Sequence, residues 1–225
     1  PTVPLAVVSQ VNSNNNIEIS LVSGIPDLRF TYYWISNTGG RAVEVPYDSA
    51  IVIEQLGADE LVVSIYRGDE LLGTENRYFY SHKGNGATLS LGYEYSPNYT
   101  GGGDNALTDG RRGTSDFRDG TWQAMQKNDA VATIDLGEVT EITELSSGYN
   151  QYNNSWIFLP LEVEYFLSDD GENFVSAGKV KPESGPKQKG QFTQDFTLDA
   201  AGKSARYVKL VAKNIGHCPD WHDAA

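Results

Sequence analysis

The chain is poor in the residues that staple, anchor or catalyse. Cys218 is its single cysteine, so no internal disulfide can form. That would be unusual for a secreted eukaryotic β domain and is ordinary for a bacterial periplasmic or cell-surface protein, the location expected here. In that setting the N-x-S/T sequons at Asn98 and Asn153 carry no meaning. Three histidines leave little for acid–base chemistry, and no Ser/His/Asp arrangement has local motif support. No apolar run approaches the roughly 20 residues of a membrane helix, and no signal-peptide pattern is present. The chain begins at Pro1 rather than Met, as expected of a mature or excised fragment. Lysine and arginine total 17 against 30 aspartates and glutamates, a net charge of -13. Such a surface repels nucleic acid and anionic membranes, which need clustered cations, and is indifferent to a neutral glycan. A segment of 225 residues also has no room for an eight-stranded catalytic barrel of about 250 residues.

What the chain does have is aromatic side chains, 11% of the total, and short alternating runs. These predict strands at Ile17–Leu21, Leu28–Trp34, Ala50–Glu54, Glu60–Tyr66 and Arg77–Ser81, a small antiparallel sandwich. Lys83-Gly84-Asn85-Gly86 then breaks the pattern. We read residues 1–83 as one domain, 84–88 as a linker and 89–225 as a second domain. Gly101-Gly102-Gly103 opens a polar loop that runs to Gly120; a loop of this length is usually functional or metal-organised. Further strands are expected at Ala130–Leu136, Glu141–Gly148, Leu161–Ser168, Asn173–Val180, Phe192–Leu198 and Arg206–Ala212, with Asp169-Asp170-Gly171 as a hairpin turn. No segment keeps a helical period. The fold class is all-β.

Several motifs at consistent spacing carry a family resemblance. Ala106-Leu107-Thr108-Asp109-Gly110, Thr114, Gly120-Thr121-Trp122-Gln123 and Val131-Ala132-Thr133-Ile134-Asp135-Leu136-Gly137 resemble the opening of a discoidin-like domain of the coagulation factor V/VIII C type. Leu161–Gly171 and Ala205–Leu210 fit the same family in order. The first half is similar to the immunoglobulin-like domain that follows the barrel of bacterial β-hexosaminidases, through Pro26–Thr31, Pro46-Tyr47 and the Tyr66–Gly73 hairpin. There Trp34–Arg41 replaces that family's usual turn. Together they look like the C-terminal tail of a family 20 glycoside hydrolase, although exo-acting fucosidases carry a similar tail. The resemblance implies an immunoglobulin-like sandwich followed by a discoidin-like jelly roll. Discoidin-like domains end in a further strand bearing a carboxylate, which is expected to be missing because the chain stops at Ala225.

The same resemblance implies the chemistry. Family members hold a structural calcium in the loop matching Asn105–Thr114, with Asp109 and Thr114 as ligands here; the alternative is a loop held by its own hydrogen bonds. Family glycan sites sit on loops at one end of the sandwich. The matching positions are Asp104, Gln123, Asn150, Gln151 and Trp156, with His217 and Trp221 near the end. Rings stack on sugar C–H faces and amides pair with hydroxyls; Trp122 and Trp156 could equally pack inward. The expected ligands are glycans ending in galactose or N-acetylhexosamine. The expected role is targeting a linked catalytic barrel, with bare structural bracing or protein and surface adhesion as the alternatives.

Three remaining motifs weigh little. His217–His222 crowds possible zinc ligands into one short loop, and packing is the simpler account. Arg67-Gly68-Asp69 sits where a hairpin needs turn residues. Asp59-Glu60 and Asp69-Glu70 lack the His-x-Gly context of the family 20 acid pair, so the chain is read as non-catalytic.

Overall fold

A computed structural model describes residues 5–36, 42–183 and 187–222. Its strands, in chain order, are β1 (Ala6–Val11), β2 (Ile17–Val22), β3 (Leu28–Ser36), β4 (Val45–Pro46), β5 (Ile51–Ile53), β6 (Gly57–Arg67) and β7 (Glu70–Ser81). Then follow β8 (Thr88–Leu91), β9 (Arg111–Arg112), β10 (Ala130–Tyr152), β11 (Val163–Ser168), β12 (Val175–Val180) and β13 (Gln191–Ala212). The all-β class holds, and among the described residues no helix is long and apolar enough to cross a membrane. Most of the replaced turn at Trp34–Arg41, and the end of the chain at Ala225, lie outside the described residues.

The chain forms two compact units whose boundary is not a simple cut. The first comprises Pro1–Gly86 and Leu107–Arg112; the second comprises Ala87–Ala106 and Gly113–Ala225. In the first unit a three-stranded sheet (β1-β2-β5) faces a five-stranded sheet (β4-β3-β6-β7-β9). Alternation explains the pairing: Ile17, Ile19 and Leu21 point inward from β2 and meet Leu61, Val63 and Phe79 in one buried cluster. Tyr47 ties the two sheets, because its hydroxyl accepts the Leu21 N–H at 3.1 Å while its own N–H donates to the Phe30 carbonyl at 3.0 Å. The β6–β7 hairpin turns on Gly68 at φ 57°, so Arg67-Gly68-Asp69 forms an exposed turn of the expected kind. Asp59-Glu60 lies inside β6 rather than before it, and Glu60 accepts from Asn76 at 2.6 Å and Tyr78 at 3.1 Å.

The boundary between the units, at Gly86 and Ala87, falls inside the expected linker 84–88, whose residues are seated in the fold. Asn85 is fully buried, with its side-chain oxygen holding the His82 N–H at 2.6 Å, and Thr88 already belongs to β8. A returning strap, Leu107–Arg112, completes the first unit. Gly86 N–H donates to the Thr108 carbonyl at 2.9 Å, Tyr80 N–H to the Gly110 carbonyl at 2.8 Å, and β9 pairs with Tyr78 and Phe79. Gly110 adopts φ 76°, and a β-carbon there would sit 2.2 Å from Ile17 Cδ1.

In the second unit one sheet has the order β12-β11-β13-β10-β8. The strands expected at Ala130–Leu136 and Glu141–Gly148 are one continuous strand, as are those at Phe192–Leu198 and Arg206–Ala212. Register shifts between Asp135 and Thr140 and between Ile142 and Glu144 interrupt the β10–β13 ladder. The distal ribbon, Glu144–Tyr152 with Gln191–Asp199, shares one core with the sheet, since Leu145 and Phe196 join Val163, Tyr165, Val208 and Leu210. Tyr165 fastens ribbon to sheet: its hydroxyl donates to the Phe196 carbonyl and meets the Ser147 hydroxyl, both at 2.6 Å. Burial pushes the Tyr149 hydroxyl, beside this contact, up to about 12. The Asp169-Asp170-Gly171 turn forms as expected, with Asn173 and the turn's N–H groups holding the Asp170 carboxyl well below its usual range.

Two outcomes follow for the first unit. Gly110→Ala is expected to destabilise it more than Gly68→Ala, which shares the left-handed backbone but meets nothing within 4 Å. The left-handed cost alone is about 1–2 kcal/mol; equal losses on urea unfolding would sink the close-approach account. His82 is held neutral by burial, its pKa lowered from 6.5 to about 4, while its Nδ1 accepts the Gly84 N–H at 3.1 Å. A depressed pKa means stability present above pH 6.5 and lost as pH falls toward 4, by up to about 3 kcal/mol. Unfolding curves at both pH values should show His82→Gln removing that part of the acid sensitivity.

Candidate functional site

The loops after β10 build an aromatic cluster in the second unit, exposed at Trp156 and half-buried at Phe158, Trp221 and His222. Tyr152 and Ile157 exchange backbone hydrogen bonds at 2.9 and 3.2 Å, closing a tight loop around the 3-10 turn Asn153–Ser155. That closure forces Trp156 into the left-handed region at φ 56°, ψ 30°, an unusual backbone for a bulky residue. Its side chain is not core: Trp156 is 61% exposed. The Trp156 ring lies 6.3 Å from the His222 ring, which is 5.7 Å from Phe158 and 6.1 Å from Trp221. Phe158 meets Trp221 edge-on at 6.2 Å. An Nε2 contact of 2.8 Å to the Asn153 carbonyl fixes His222. The structure thus brings together two expected residues, Trp156 and Trp221, with Phe158 and His222, which sequence reasoning did not name as glycan contacts. His217 is exposed on the loop before them. Among the described residues no three His, Cys, Asp or Glu side chains converge, so His217, Cys218 and His222 make no zinc set.

Asn150 and Gln151, expected as ligand contacts, are buried amides that brace loops. They are 7% and 6% exposed. Asn150 Nδ2 donates to the Thr114 and Ser115 carbonyls, each at 3.0 Å; Trp122 Nε1 also reaches the Thr114 carbonyl, at 2.9 Å, and Gln191 the Ser115 carbonyl, at 2.7 Å. Gln151 holds the Gln188 carbonyl at 2.7 Å, and Asn153 Oδ1 accepts the Gly190 N–H at 2.8 Å. Irregular loops leave carbonyls without ladder partners, and buried amides satisfy them.

A second group of loops encloses a shallow cleft of about 290 Å³ lined by Tyr99, Thr100, Phe117, Arg118 and Trp122, among others. Tyr99 meets Phe117 edge-on at 5.8 Å, Phe117 stacks on Tyr152 at 5.9 Å, and the Arg118 guanidinium lies 4.6 Å over the Phe117 ring. Trp122 is half-buried, and its indole fills the space a side chain at Gly113 would need. Gln123 is another brace, donating to the Gly103 carbonyl at 3.1 Å and so pinning the glycine loop. Asp104 is exposed at that loop's surface and accepts from Tyr95 at 2.7 Å. Tyr99, Phe117 and Arg118, which line this cleft, were not among the expected contacts; Phe117, an apolar ring inside an otherwise polar loop, was the readable signal.

The two expected calcium ligands fall in different units. Asp109 is engaged by Arg111 at 2.7 Å, and burial outweighs that partner, pushing its carboxyl upward. The Thr114 hydroxyl donates to Asp119 at 2.9 Å.

Comparison with known proteins bears on the second unit. No curated protein is similar enough to count as a match. Similar solved structures include a fucose-binding module, SpX-3, of Streptococcus pneumoniae, at 14% identity and a TM-score of 0.42, covering 60% of this chain and 89% of that one. The lectin domain of lectinolysin complexed with Lewis B antigen gives 16% and 0.41, covering 59% and 85%. The C-terminal domain of a chitobiase from Bacteroides fragilis gives 17% and 0.34, covering 58% and 85%. These overlaps are too loose to carry an argument about function. The family model for the F5/8 type C domain matches residues 91–224, more than half of the sequence, and the chain therefore belongs to the F5/8 type C domain family.

Proposed function

We propose that the second unit binds glycans and that Trp156 is the platform on which a sugar ring stacks. The observation that carries this reading is an indole held 61% exposed on a left-handed backbone beside three further rings. An exposed Trp loses apolar burial, and its backbone costs about 1–3 kcal/mol of strain; a surface ligand that covers the ring accounts for both. The C–H face of a galactose or N-acetylhexosamine unit suits such a ring, and a neutral ligand tolerates the -13 charge. Membership of the F5/8 type C domain family supports it.

The wider setting is part of the same proposal. The first unit, with its two facing sheets, is read as the immunoglobulin-like partner. The pair would form the accessory tail of a secreted or surface-bound bacterial exo-glycosidase of the β-N-acetylhexosaminidase kind. Weak binding would keep the linked barrel near its substrate by raising effective concentration. Acid–base catalysis would reside in that barrel. A second reading, structural bracing without a ligand, is favoured by one observation: Asn150, Gln151 and Gln123 spend their amide donors on loop carbonyls.

A glycan array probed with the whole chain decides between them. Selective retention on galactose- or N-acetylhexosamine-terminated glycans, reduced about tenfold in Trp156→Ala, is expected for the stacking site. A blank from folded protein would move the assignment to bracing. Asn150→Ala should behave differently. It removes the two hydrogen bonds to the Thr114 and Ser115 carbonyls, worth about 0.5–1.5 kcal/mol each, so its melting temperature falls in calorimetry. Unchanged melting would return Asn150 to the candidate ligand contacts.

A further inference from the structure

The loop that the discoidin resemblance assigns to calcium has its oxygens already in use. Asp109 Oδ1 accepts the Arg111 N–H at 2.8 Å and Oδ2 accepts Arg111 Nε–H at 2.7 Å. The Thr108 and Gly110 carbonyls accept Gly86 and Tyr80 N–H groups at 2.9 and 2.8 Å. Thr114 Oγ1 donates to Asp119 and accepts the Asp116 N–H at 3.1 Å. The Thr114 and Ser115 carbonyls are taken by the indole and amide donors described above. Calcium needs about six to eight oxygens within roughly 2.3–2.6 Å, several of them charged. Here N–H groups point at the lone pairs a metal would use. Among the described residues the buried side-chain oxygens without a donor are Gln123 Oε1 and Asn150 Oδ1, neutral amides on separate segments. Among the described residues no three acidic, His or Cys side chains gather. The donor set does not fit the ion.

We propose that Arg111 takes the place of the calcium: its guanidinium neutralises Asp109 within the returning strap, and the loop holds its fold without a divalent cation. A guanidinium suits this position because it is always charged and its donors are planar. Covalent linkage two residues away makes the cation permanent rather than dependent on calcium supply. The exchange also accounts for the strap's conformation, since the carboxylate turns toward its own strand and the loop carbonyls pair with Gly86 and Tyr80.

The test is thermal unfolding of the full chain in millimolar calcium and in excess EDTA, beside isothermal titration with calcium chloride. Wild type should melt at one temperature in both buffers and show no binding heat. Arg111→Met should melt lower by about 2–4 °C or more, and Arg111→Lys should recover part of the loss. A calcium-dependent rise in the wild-type midpoint that EDTA abolishes, or an Arg111→Met protein with an unchanged midpoint, overturns the proposal. If Arg111→Met does not fold, the wild-type titration and Arg111→Lys still decide it.

Discussion

The approach of Gly110 to Ile17 organises the first unit. A β-carbon would stand 2.2 Å from Ile17 Cδ1, so the backbone itself fills a place that a side chain would fill elsewhere. For Gly110 to arrive there, the polypeptide must leave the second unit at Ala106 and re-enter it at Gly113. Once the strap is seated, β9 extends the five-stranded sheet, Thr108 is wholly buried, and Asp109 turns toward Arg111. One steric requirement thereby fixes where the motif's carboxylate points, and that direction decides what it can bind.

β6, buried on both faces from Leu61 to Ile65, was legible from its apolar content, while the alternation of apolar residues made β2, β3 and β11 legible. It failed where strands are held by backbone pairing alone. β9 is two arginines, and β4 is a Val-Pro pair, neither long enough to show a period. In β1, Val8 is exposed while Ser9 is half-buried, so the apolar pattern does not follow the faces. The long strands β10 and β13 read as two each because the segments around Gly137 and Gly202, both at positive φ, resemble turns. Gly84-Asn85-Gly86 has the composition of a linker, but its Asn is buried for hydrogen bonding, which composition cannot separate from solvation.

The candidate site shows the same ambiguity at the level of chemistry. An amide on a loop can pair with a sugar hydroxyl or with a stranded carbonyl, and the side chain is identical in both roles. Position within the family pointed to Asn150, Gln151 and Gln123. Three dimensions show that each has a carbonyl to hold, because the loops from Gly101 to Gly120 and from Gln188 to Gly190 carry backbone oxygens outside any ladder. A large ring has fewer ways to be satisfied: Trp156 is exposed, and Trp221 is half-buried against Phe158 and His222.

Taken together these placements divide the labour by residue type. Polar side chains face inward and tie loops to one another, while rings face outward at Trp156 and line the cleft of Tyr99, Phe117 and Trp122. Such a surface offers ring faces more than a dense set of directional bonds. It gains rigidity from the braces beneath it: His222 is fastened to the Asn153 carbonyl, and Asn153 in turn holds Gly190. The strained backbone at Trp156 then has a physical role, since the tight Tyr152–Ile157 closure that imposes the strain also keeps the indole from folding back into the core.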